Sequence, residues 1–129
     1  MNDARANDLI GTWKLERFRV WDKHGNVSEP RGSSPYGYAL FDASGIAFIQ
    51  LANPDEALSP AERAASYFAY TGPFRTEPAE GLLSVTVVAS NQADYLGTTQ
   101  VRRYARDGQR LRLGTPGQYE ALLVRVTAD

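Results

Sequence analysis

The chain reads as all-β: one up-and-down antiparallel barrel of about eight strands with one short helix, residues 1–129 forming a single domain. Three observations carry that reading. Strand-like runs bounded by turn residues recur through most of the sequence. The connections between them are short, so runs adjacent in sequence should pair antiparallel. One segment alone, beginning at Ser59, carries a convincing helix start. Eight antiparallel strands can close round a space wide enough for one small ligand.

Each element follows from local chemistry. The first strand, Trp13 to Trp21, alternates imperfectly and ends at "DKHGN", a hairpin turn carrying Gly25 and Asn26. "SEPRGSSP" is a loop. "YGYALFD" and "IAFIQLA", joined by "ASG", form a hairpin whose second arm is nearly all apolar, as in a buried strand. "NPDEAL" breaks the pattern. Ser59 then caps a helix, Pro60 suits its first position, and Glu62 completes the S-x-x-E box. The helix is short because "YFAYTGPFRTE" returns to strand chemistry, where Gly72 and Pro73 mark a bulge or an edge. "LLSVTVVAS", "TTQVRRYAR" and "LRLG" follow, the last two joined by a turn at Asp107 and Gly108, and "YEALLVRVT" is the final strand.

Composition narrows the function classes. A net charge of −1 argues against a surface built for nucleic acid or membranes. With no cysteine, disulfides and thiolate chemistry are excluded. His24, the single histidine, lies in a charged hairpin turn, where it has neither the pocket a base needs nor the companions a metal needs. No metal site is expected. Nucleotide-binding and nucleophile-elbow motifs are missing from the sequence, so no cofactor is expected either. The first residues lack the apolar core of a signal peptide, and no apolar run reaches the roughly 20 residues of a membrane helix. The expectation is a cytoplasmic protein without a membrane partner.

The stretch "LIGTWKLERF" places Gly11-x-Trp13 at the start of the first strand, which resembles the lipocalin and wider calycin pattern. In that pattern the Trp closes the bottom of the barrel and an Arg from the last strand covers it. The resemblance implies that role for Gly11, Trp13 and Arg125, with cation–π energy of about 0.5–2 kcal/mol between indole and guanidinium. Avidins share the start, but Trp21 is the only other tryptophan, so the later tryptophans of a biotin site are missing. Together with "PYGYALFDASGIAFIQL", "YFAYTGPFRT" and "YLGTTQVRRYARDGQRLRLGTP", the chain resembles the compact bacterial lipocalin-like domain family over most of its length. Members often carry His and Glu in the strand matching "SVTVVAS". Thr86 and Val88 stand there, so no acid–base role carries over.

The pair Arg102-Arg103 is the most informative. In a regular strand consecutive side chains point to opposite faces, so one of the two faces inward. Gln100, Arg102 and Tyr104 share one face; Val101, Arg103 and Ala105 share the other. Apolar logic alone would put Val101 inside. The resemblance favours the even face, because family members carry aromatic residues at the positions of Tyr104 and Arg106. A bulge sending both guanidiniums to solvent is the alternative. An inward Arg needs an anion or an acidic side chain, and a ligand carboxylate, enolate or phenolate would serve. Tyr38, Gln50 and Tyr70 join Gln100, Arg102 and Tyr104 as expected ligand-binding residues, with Tyr95 at the mouth. "RRYARDGQRLR" holds five arginines, yet the slightly negative chain and the polar outer face of a hairpin argue against nucleic acid.

Three functions fit this cavity. One is a carrier or sensor for a small, mostly hydrophobic molecule, aromatic, polyketide-like or acid-bearing. Another is a cofactor-free cyclase or isomerase, in which Tyr and Arg steer an enolate. The third is an interaction domain with a filled barrel. The residues do not separate the first two, so catalytic residues are left unassigned. The segment near Gly72 and Pro73 and the apolar "LLSVTVV" run also admit a homodimer.

Overall fold

In the computed structural model, which describes residues 9–127, strand β1 (Gly11–Trp21) has a partner on each side. It pairs with β3 (Tyr36–Phe41) on one edge and with the last strand, β10 (Tyr119–Arg125), on the other. That second pairing closes the sheet. The intervening strands are β4 (Ile46–Ala52), β5 (Phe68–Glu77), β6 (Leu82–Thr86), β8 (Thr99–Asp107) and β9 (Arg110–Thr115). Two short strands, β2 (Val27–Ser28) and β7 (Ala89–Ser90), lie beside β1 and β5. The barrel proper is therefore an eight-stranded antiparallel cylinder, as the turn spacing predicts.

The imperfect alternation of β1 has a structural cause. Leu15 opposes Leu123 while Arg17 opposes Leu122, so Glu16 is an extra residue in the ladder. Such a bulge reverses which residues face inward beyond it. Trp13 and Leu15 are buried below it, and Phe18 faces the cavity above it. Without the bulge, Arg17 and Arg19 would point into the barrel.

Strand β4 differs from the expectation of an arm buried on both faces. Ala47, Ile49 and Leu51 are buried, but Phe48 is half-exposed, so the strand has one inner and one outer face. The edge expected near Gly72 and Pro73 is also corrected. Strand β5 pairs with β4 up to Pro73 and with β6 from Phe74 onward, so the proline marks a change of partner. Gly72 is buried there, and a methyl group on it would come within 1.7 Å of the Thr86 carbonyl oxygen. Glycine lets the end of β6 cross over β5. "LLSVTVVAS" accordingly breaks after Thr86 and resumes as β7.

Helix α1 (Pro60–Ser66) forms where the capping box places it. The Glu62 backbone N–H donates to Ser59 Oγ at 3.1 Å, and the Ser59 N–H donates to Glu62 Oε1 at 2.8 Å. None of its residues is buried, so its position depends on few ties. One is Ser66, whose Oγ accepts from the Asn53 N–H at the end of β4. This holds the helix over one end of the barrel, with Ala65 and Tyr67 reaching the cavity.

Candidate functional site: an aromatic cavity with two arginines

The two ends of the barrel have different chemistry. At the closed end, Trp13 is fully buried and its indole N–H donates to the Leu9 carbonyl at 2.9 Å. The Arg125 guanidinium lies 4.6 Å from the ring centroid, and Arg106 lies at 5.4 Å. Gly11 has φ of 140° and runs directly beneath Arg125, where a Cβ would stand 2.8 Å from Nη1. The spacing of glycine and tryptophan thus has a mechanical reason: Gly11 leaves room for the arginine that covers Trp13. Arg106 as a second cover is not evident from the sequence.

Above this plug lies a cavity of about 630 Å³, within the range of small-molecule sites. Its space comes from Ala39 and Ala121, small inward residues on β3 and β10 that leave the centre unfilled. Ile49, Leu51, Leu113 and Leu123 supply the aliphatic wall. The remaining wall is aromatic and basic. Phe68, Tyr70 and Tyr95 pack ring to ring, with centroids 4.9 to 5.8 Å apart. Tyr95 is contributed by the 3-10 turn Ala93–Tyr95 that leads into β8.

Arg102 projects into this cavity, while Val101 and Arg103 are exposed on the outer face of β8. Its Nη2 donates to Gln100 Oε1 at 2.9 Å and its Nη1 to the Val101 carbonyl at 3.0 Å. Gln100 in turn donates to Thr98 Oγ1, and the Thr98 hydroxyl donates to the Tyr95 carbonyl, both at 2.7 Å. This chain orients the guanidinium and ties it to the loop carrying Tyr95. Arg102 also lies 5.7 Å from the Tyr119 ring centroid. A second arginine, Arg31, comes from the loop before β3 and lies over Phe18 at 5.8 Å. Among the described residues, neither arginine forms an ion pair with a carboxylate.

Burial raises the Tyr70 hydroxyl to a pKa of about 12, against the opposing pull of Arg102. Tyr119 is raised for the same reason, and burial lowers Arg31. At neutral pH the cavity therefore presents protonated phenols, which are hydrogen-bond donors, beside the Arg102 guanidinium.

The residues expected on the sequence separate into three groups. Tyr70, Tyr95, Gln100 and Arg102 line the cavity together. Tyr38 borders both the cavity and an outer groove, and strand alternation puts its ring on the outer face, edge-on to Tyr36 at 5.7 Å. Two expected wall residues lie elsewhere. Gln50 is on the outer face of β4, accepting from the Tyr67 hydroxyl at 3.0 Å, because Ile49 and Leu51 take the inner face. Tyr104 is buried one inward position below Arg102, within the core and off the cavity wall. Sequence reasoning missed Phe18, Arg31, Phe68 and Tyr119. Tyr119 had a signal, since it alternates with Ala121 and Leu123. Arg31 had none, because its loop has no period. Among the described residues no group of three or more His, Cys, Asp or Glu side chains could hold a metal, and no helix is long and apolar enough to cross a membrane.

Comparison with solved structures finds the same architecture. A lipocalin-like protein from Bacteroides uniformis superposes with a TM-score of 0.55 at 14% identity, over 92% of this chain and 99% of the other. An uncharacterized protein from Bacteroides eggerthii gives 0.52 at 13% identity, over 91% and 98%. At such identities the likeness concerns the fold. No curated protein matches the chain. The family model of the lipocalin-like domain matches residues 10–124, from the residue before Gly11 to the residue before Arg125. With the closed barrel and its Trp13 plug, that match makes the chain a member of the lipocalin-like domain family.

Proposed function

We propose that the barrel binds a small, mostly apolar molecule carrying an acidic oxygen, with that oxygen on Arg102. The observation that carries this reading is a guanidinium turned into an apolar cavity, oriented by Gln100 and without a carboxylate partner among the described residues. A ligand body that fills the cavity shuts this half-buried charge off from water, which is costly unless an opposite charge joins it. A ligand acid supplies that charge, and the aromatic and aliphatic walls take its body.

The cyclase or isomerase reading would use the same Arg102 and Tyr70 as oxyanion partners, but it also needs a base near its working pH. Tyr70 stays protonated far above neutrality. Among the described residues that line the cavity, Asp94 is the only carboxylate, and it is exposed in the turn at the rim. Binding without turnover is therefore the better-supported function.

Calorimetry with 2-naphthoate and neutral 2-naphthalenemethanol tests this, because the two share a body and differ in the charged head. The acid should bind at least ten-fold more tightly, and it should be recovered unchanged. Equal affinities would remove the anion from the proposal, and conversion of the acid would restore the enzyme reading.

A further inference from the structure

The donors around Arg102 outnumber what a plain carboxylate accepts. A guanidinium has five N–H donors. Two of them are committed to Gln100 Oε1 and the Val101 carbonyl, which leaves about three. Of the five tyrosines that border the cavity, Tyr38 turns its ring to the outer face and Tyr67 donates to Gln50, which leaves the phenols of Tyr70, Tyr95 and Tyr119. Their hydroxyls make no hydrogen bond to any described residue, although each lines the cavity. Tyr70 and Tyr95 lie ring to ring at 5.8 Å, and Tyr119 lies beneath Arg102 at 5.7 Å. All four groups line the one cavity.

That gives about six donors on groups that line one cavity, whereas a carboxylate offers about four lone-pair sites. A ligand that enters displaces the water these donors otherwise bind, and it loses affinity where it cannot replace those hydrogen bonds. We infer that the head group held here carries a third oxygen next to its carboxylate, as in a 2-hydroxyaryl acid or a β-keto acid, with Arg102 on the carboxylate and the phenols of Tyr70 and Tyr119 reading the added oxygen. This rests on the acid-binding reading of the same cavity and narrows it to one chemical class. It also gives Tyr119, on the last strand, a part in specificity.

The test compares 3-hydroxy-2-naphthoate with 3-methyl-2-naphthoate, which has the same acid and nearly the same bulk but lacks the third oxygen. The intact protein should bind the hydroxy acid about ten-fold more tightly, the effect of one well-made hydrogen bond. Tyr70→Phe and Tyr119→Phe should each narrow that advantage severalfold, and both substitutions keep the ring and so the packing. Equal affinity for the two acids would overturn the third oxygen while leaving acid binding in place. An advantage that survives both substitutions unchanged would show that the phenols do not read it. If neither acid binds and 2-naphthoate fails as well, the acid-binding reading falls and takes this inference with it.

Discussion

Arg125 covers Trp13 at 4.6 Å, and the strand register places the two residues directly opposite each other on β10 and β1. Barrel closure and barrel plugging are therefore one event. The same pairing that joins first strand to last brings the guanidinium over the indole. Gly11 allows it, since any side chain there would meet Nη1.

Trp13→Ala should cost about 3–5 kcal/mol, the range for deleting a large buried aromatic. Gly11→Ala should also destabilise, by roughly 1–3 kcal/mol, through overpacking and a disfavoured φ. Chemical denaturation of both variants checks this. Unchanged midpoints would separate plug from closure.

The two adjacent arginines of β8 should behave differently. Arg102→Met keeps length and loses charge, so it should weaken 2-naphthoate binding about ten- to hundred-fold, as removal of a charge-assisted hydrogen bond does. Arg103→Met, on the exposed face, should leave the affinity as it is. Calorimetry on both variants decides it, and equal effects would refute the site.

Alkaline pH should destabilise the fold through Tyr70. Its folded pKa of about 12 lies above the ordinary tyrosine value of 10.0, so the folded state holds the proton that the unfolded state releases. The linked stability is fully present below pH of about 10 and is lost as pH rises to about 12, by roughly 3 kcal/mol for a two-unit shift. Tyr70→Phe should flatten that part of the profile. Urea midpoints between neutral and strongly alkaline pH measure it.

Gly72→Ala should be among the most damaging single-methyl changes in the chain. Its Cβ would collide with the backbone carbonyl of Thr86, which no rotamer change relieves. A loss of about 3 kcal/mol or more is expected, at the upper end of overpacking. Thermal unfolding that matches the parent would mean that β6 can move off β5.

Local chemistry determined a large part of this protein. Turn residues set the strand boundaries, Ser59 and Glu62 start α1, and Gly11, Trp13 and Arg125 announce the plug, because each signal is complete within a few residues or one motif. Alternation likewise reduces β8 to two faces, but it does not say which face is inside. The tertiary structure decided that in favour of Arg102, and it moved Gln50 to the outside of β4 because Ile49 and Leu51 fill the inner positions. It also gathered Arg31, Phe68 and Tyr119 from a loop and two distant strands round one cavity, and it used a bulge at Glu16 to turn Phe18 toward them. These choices depend on register between strands far apart in sequence. A one-residue shift there reverses every side chain, and only the closed barrel fixes it.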